Sequence, residues 1–246
     1  AYTLENDVDN QAQKAYNVSK APGFALVTSD EVVTVPAYYK GVRVQIINAG
    51  AFKNCTNLTH IRIPNTISII ETGLNGDLSS AFEGCSNLVD VTIYEVEGFT
   101  GTPRYYSQKG MLISNANDSK QSTIEFVPKG MTGSLVIPEG VQVIPEGIFT
   151  NAKITDVVIP YTVKTIGKDA FKWNSSLVNV VFEERPANYL ELKKAENEKY
   201  DPAQDLGLTI ARDAFSNSNY IENVELPAHL YSMDITSISS TRLVTI

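Results

Sequence analysis

Histidine, cysteine and paired carboxylates are the side chains from which hydrolytic, redox or metal chemistry is most readily assembled. This chain has two histidines, His60 and His229, and two cysteines, Cys55 and Cys85. A catalytic triad needs a nucleophile, an imidazole and an orienting acid within reach of one another. A zinc site needs several Cys, His or carboxylate ligands at set spacings. Neither histidine stands at such a spacing from a Cys, Asp or Glu, so no metal site is expected. No Cys-x-x-Cys occurs, which removes the usual redox pair. Glu183 and Glu184 are adjacent on one strand end, whereas a glycosidase dyad must flank a cleft. Nucleophile-elbow, zincin, phosphate-loop and dinucleotide signatures are all absent. The expectation is a protein without catalytic residues and without a cofactor.

The elements that carry these residues repeat. AFKNCTNLTHIRIP (51–64), AFEGCSNLVDVTIY (81–94), IFTNAKITDVVIP (148–160), AFKWNSSLVNVVFE (170–183) and AFSNSNYIENVELP (214–227) align with one another. Phrases such as IPNTISII, IPEGVQVI and IPYTVKTI link them. The unit is Leu-x-x-Ile-x-Ile-Pro-x-x-Val-x-x-Ile-x-x-x-Ala-Phe. Phe52, Phe82, Phe149, Phe171 and Phe215 are spaced by 30, 67, 22 and 44 residues. The 30 is a unit with an insertion at 73–80. The 67 implies two degenerate units between Tyr94 and Pro138. The 44 contains a charged insertion at 185–207 that reads as a loop with a short helix.

Within a unit, Ile61 and Ile63 alternate with His60 and Arg62, the period of a strand with one buried face. Pro64 lacks an amide donor and marks where the ladder stops. Ile67 and Ile70 turn the chain back inward, and Ala-Phe plugs the opposite wall. One unit cannot bury its own apolar set, so units must stack at about 4.8 Å per coil. The predicted architecture is a repeat protein: a right-handed solenoid of stacked parallel strands with few or no regular helices, over 32–246. Residues 1–31 are expected to cap it, with a short helix from Asp7 or Asp9. Cys55 and Cys85 share one position in adjacent units. Stacking brings them within possible disulfide reach, but two small buried thiols in a turn account for them equally and are preferred.

Composition fits a folded chain. Hydrophobic residues are 43% and charged residues 20% of the 246. The net charge of −8 argues against nucleic acid or an anionic membrane surface as a partner. No stretch approaches the about 18 apolar residues of a membrane span. The start has no leader peptide and no Met, and the end is an apolar run, STRLVTI (240–246), without the usual polar cap. These ends read as a mature or trimmed fragment. Five Asn-x-Ser/Thr sequons, at Asn17, Asn54, Asn57, Asn117 and Asn174, are explained by turn composition.

The motif AFxxCxxLxxIxIP at 51–64 and 81–93, with the variant YYSQKGMLISNANDSKQSTIEFVPKGMTGSLVIPEGV at 105–141, resembles the BspA-like leucine-rich repeats of bacterial surface proteins. The resemblance covers roughly residues 32–246. Asn174 and Ser218 depart from it at the cysteine position. It implies a leucine-rich-repeat solenoid that is extracellular or on the cell surface, binding a protein or glycan there in an adhesive, non-enzymatic role.

The fold alone names no ligand. The candidate binding surface is the exposed strand face, with His60, Asp90, Asp156, Asn179 and Asn223 in one row and Arg62, Thr92, Val158, Val181 and Glu225 in the next. The 185–207 insertion, with Tyr189 and Tyr200, is a second candidate. A carbohydrate-binding module is an alternative, for which Tyr105, Tyr106, Tyr189 and Tyr200 are the aromatic residues to follow. A structural stalk of a larger surface protein is another.

Overall fold

The computed structural model describes residues 2–6, 16–20, 31–71, 78–115, 121–239 and 241–242. Side chains are described for 31–71, 80–115, 121–203, 205–222, 224–239 and 241–242. The helix expected from Asp7 or Asp9, most of the 73–80 insertion, Asn117 and the last residues of STRLVTI lie outside these. The chain divides into two compact units, Ala1–Met131 and Thr132–Ile246.

The first unit contains β1 (Tyr2–Asn6), β2 (Tyr16–Lys20), β3 (Val32–Thr34), β4 (Tyr38–Tyr39), β5 (Val42–Ile47), β6 (His60–Pro64), β7 (Ile69–Ile70), β8 (Asp90–Tyr94), β9 (Tyr105–Gln108), β10 (Met111–Ser114) and β11 (Thr123–Phe126). The period-two segments form the parallel ladder β3-β6-β8, in which Val33, Ile61 and Val91 are in register and buried. β2, β5 and β7 form a second parallel run, with β1 antiparallel to β2.

The region expected to hold two degenerate repeats begins differently. β9, β10 and β11 form an antiparallel meander. Lys109 and Gly110, at φ 53 and 76, make the two-residue turn whose twist suits a hairpin. Lys40 and Gly41 join β4 to β5 in the same way, at φ 49 and 77. Phe126, from the meander, takes the plug position, with its ring 4.7 Å from Phe82, which stacks on Phe52 at 5.5 Å.

The second unit contains β12 (Thr132–Val136), β13 (Val143–Ile144), β14 (Lys153–Ile159), β15 (Thr165–Ile166), β16 (Asn179–Phe182), α1 (Tyr189–Glu196), β17 (Leu208–Ile210), β18 (Asn223–Glu225) and β19 (Leu230–Met233). Each coil gives one strand to each of two parallel ladders, β12-β14-β16-β18 and β13-β15-β17-β19. Leu135, Val157, Val180 and Val224 line one inner wall and Ile144, Ile166 and Ile210 the other, all buried. Between them the rings of Phe149, Phe171 and Phe215 stack at 4.8 and 5.0 Å with planes 3° apart. The molecule is a repeat protein, rich in parallel strands, with one α-helix among the described residues.

The cysteine position has a role beyond filling space. The Cys85 thiol donates to the carbonyl of Phe52 at 3.0 Å. The Asn174 amide donates to Phe149 and Phe171 carbonyls at 2.8 and 2.6 Å, and the Ser218 hydroxyl to Phe171 at 2.8 Å. Cysteine, asparagine and serine therefore do one job: a small buried side chain donates to the plug residue's carbonyl in the preceding coil, adding to the Cys55 and Ala152 amides that Phe52 and Phe149 already accept at 3.1 Å. Asn174, fully buried, is no acceptor for a glycan. Cys55 and Cys85 are buried and not joined by a disulfide.

Candidate functional site

The outward residues of the strands form rows because parallel pairing puts equivalent positions side by side. In the first unit Val32, His60 and Asp90 are in register, as are Thr34, Arg62 and Thr92. His60 and Arg62 are exposed, Asp90 and Thr92 half-buried. The Thr92 hydroxyl donates to Asp90 at 2.6 Å, and the Arg62 guanidinium lies 5.5 Å from the Tyr94 ring centre. His60 Nδ1 is 2.9 Å from the Thr59 hydroxyl.

In the second unit Ser134, Asp156, Asn179 and Asn223 make the polar row, and Val136, Val158, Val181 and Glu225 the row beside it. Of Asn223 only the backbone is described. The Asp156 carboxylate accepts from Asn179 at 2.5 Å, Thr155 at 2.6 Å and Ser134 at 2.8 Å. These hydrogen bonds, that of Asn179 foremost, hold its carboxyl below the usual range. The polar row is thereby a hydrogen-bonded strip with one ionised carboxylate, that of Asp156, at its centre. Beside it Val136 and Val181 are 45% and 49% exposed, an apolar pair on a sheet with nothing over it among the described residues. Ser134 and Val136 extend the rows expected from sequence by one coil. Their strand lacks the preceding Ala-Phe but ends in the same Leu-Val-Ile-Pro phrase that could have marked it.

The 185–207 insertion is ordered by one carboxylate. Asp205, its side chain 3% exposed, accepts from Arg185 at 2.9 Å, from Tyr200 at 2.9 Å and from Tyr189, with Lys164 at 3.7 Å. Burial alone would raise its pKa. The two tyrosine hydroxyls and the Lys164 and Arg185 charges outweigh that and hold it at about 2. The helix α1 buries only Tyr189, while Leu190 and Leu192 face outward, so polar contacts rather than an apolar stripe dock it. The Arg185 guanidinium covers the Tyr189 ring at 4.3 Å, and Tyr161 meets that ring edge-on at 5.9 Å.

The four tyrosines named for a sugar platform are poorly placed for it. Tyr105 and Tyr189 are buried, and Tyr106 and Tyr200 are half-buried. Residues distant in sequence do bring Glu184 to His229, with 3.8 Å between Oε2 and Nδ1. Burial, and then the Arg185 charge, push that imidazole's pKa down. Glu184 also accepts from the Ala228 amide, a contact between coils. Among the described residues no group of three or more His, Cys, Asp or Glu is placed to hold a metal. No helix among them is long and apolar enough to cross a membrane.

With this geometry in place, known proteins give it a context. The family model described as BspA type leucine rich repeat region matches residues 40–97 and 129–194, in six copies. No curated protein matches the chain. Among solved structures, a leucine-rich repeat protein from Bacteroides ovatus is 21% identical, with a TM-score of 0.50 over 98% of this chain and 56% of its own. One from Bacteroides capillosus is 19% identical, covering 57% of this chain and 98% of its own, with a TM-score of 0.42. A leucine-rich cell surface protein from Faecalibacterium prausnitzii is 16% identical over 100% of this chain and 92% of its own, with a TM-score of 0.38.

Proposed function

The chain belongs to the BspA-type leucine-rich repeat family, and from that premise we propose that it is a non-enzymatic, extracellular or cell-surface binding module whose exposed strand face takes a protein ligand. The observation that carries this reading is the pair of rows in the second unit. A hydrogen-bonded strip centred on an ionised carboxylate, Ser134–Asp156–Asn179, runs beside an apolar strip, Val136–Val158–Val181. Apolar residues flanked by polar groups that are already oriented are what a protein interface requires at its centre and rim. The strands beneath are fixed by two ladders, so little ordering accompanies binding. His60, Arg62, Asp90 and Thr92 of the first unit, and Asn223 and Glu225 of the second, belong to the proposed surface.

The test is binding of the purified chain to a panel of extracellular-matrix and cell-surface proteins by biolayer interferometry. Val136→Glu and Val181→Lys, each checked for retained fold by circular dichroism, are expected to weaken the best ligand at least about tenfold, as loss of a central contact does. Binding that ignores both substitutions, or no ligand in the panel alongside turnover of a substrate, overturns the reading.

A further inference from the structure

The residue two places after Phe52, Phe82, Phe149, Phe171 and Phe215 has a left-handed backbone in each of those five coils. The φ values are 62 at Asn54, 77 at Gly84, 56 at Asn151, 56 at Trp173 and 58 at Asn217. The stack imposes this conformation. The amide of Asn151 bonds to the Lys172 carbonyl, that of Trp173 to Ser216 and that of Asn217 to Ser239, at 3.1, 3.1 and 2.9 Å. Glycine and asparagine adopt such a backbone with little penalty, whereas a bulky side chain is strained there. The tryptophan does not recover that strain by burial, since it is 51% exposed. Strain held in place by surrounding structure, at a side chain that packs little, points to a use outside the fold.

The surroundings narrow that use. The Lys172 ammonium lies 5.1 Å from the centre of the indole and is itself held by Asp169 at 2.8 Å, so one face of the ring is occupied. Lys168, Lys172 and Arg212 are matched by Glu146, Asp169 and Asp213 through ion pairs of 2.8 to 3.9 Å. In a chain of net charge −8 this patch is locally neutral, which disfavours an ionic ligand. One coil to either side stand Asn151 and Asn217, whose side-chain amides form no hydrogen bond among the described residues. A single open aromatic face, a balanced perimeter and two uncommitted amides suit a neutral ring with an aliphatic face and hydroxyls at its rim.

We propose that Trp173, with Asn151 and Asn217, forms a saccharide-contact site on the turn column of the second unit, taking the apolar face of a neutral pyranose. It is separate from the strand face and does not depend on that reading. Trp173 is the chain's single tryptophan, so indole emission excited beyond the absorption of the twelve tyrosines reports on this site alone.

The experiment is a fluorescence titration of the full chain with neutral gluco-, xylo-, galacto- and N-acetylglucosamine oligosaccharides, with acrylamide quenching in parallel. A saturable emission shift and reduced quenching are expected for at least one series. By isothermal calorimetry, Trp173→Asn should abolish that binding, and Asn151→Gly with Asn217→Gly, which keep the backbone, should weaken it at least about fivefold. Because Trp173→Asn installs the residue that other coils use, its Tm should rise by about 2–4 °C. A fall in Tm, showing that the indole is there for packing, overturns the proposal. So does silence across the panel, or a response to a protein ligand and to no saccharide.

Discussion

The side-chain amide of Asn174 donates to the carbonyl of Phe149, 2.8 Å away and one coil back, and to that of Phe171 at 2.6 Å in its own coil. Each carbonyl has a second donor, the Ala152 amide at 3.1 Å for Phe149 and the Ser218 hydroxyl at 2.8 Å for Phe171, so losing the Asn174 amide removes one bond from each and orphans neither. Asn174→Ala should therefore destabilise the chain by about 1–2 kcal/mol, the net worth of two neutral hydrogen bonds, read by urea denaturation. Asn174→Ser should recover much of this, since Ser218 meets the Phe171 carbonyl with a hydroxyl. Equal loss in both variants would mean that the amide's shape, not its donation, matters there.

The thiols follow from the same position. A hydrogen bond with Cys55, and then burial, push the Cys85 pKa far above its ordinary value. The reactive species is the thiolate. Iodoacetamide at pH 8.5 should therefore modify the folded chain at least about tenfold more slowly than the urea-unfolded chain, followed by mass spectrometry. Rapid native labelling of Cys85 would contradict the buried geometry.

Acid sensitivity should trace to the insertion. Asp205 is held at about 2 when folded, against about 3.9 for an unperturbed aspartate. A depressed carboxyl contributes stability that is fully present above the unfolded value and lost as pH falls through the folded one. That contribution is about 2 kcal/mol, fading between roughly pH 4 and pH 2. Asp205→Asn should lower Tm at pH 7 and expose 185–207 to trypsin, with the gap to wild type narrowing toward pH 2. A gap independent of pH would assign the effect to packing rather than to charge.

What could be read from the residues was whatever repeats. Alternation at Ile61 and Ile63, and again at Val157 and Ile159, marks a strand because its period is local, and the plug is marked by a buried phenylalanine that recurs once per unit. The outward rows followed from the same period, since parallel register carries each position to its equivalent, as from Asp156 to Asn179. Contacts made once were hidden. Arg185, Tyr189, Tyr200 and Lys164 converge on Asp205 from separate places, and no spacing announces that. Phe126 takes a plug position from an antiparallel strand that lacks the alanine before it. The Lys-Gly turns at 40–41 and 109–110 were visible as dipeptides, but their left-handed backbone gives them meaning only inside a hairpin.

Donation from Cys85, Asn174 and Ser218 reaches back no further than the neighbouring coil. A whole coil excised or duplicated at equivalent points therefore keeps that donation where its new neighbour brings one of the three, and loses it where the neighbour brings Ala152, which stands at the same position in the coil of Phe149. Coil number in such a chain can therefore change with little interior repair wherever that position carries a donor.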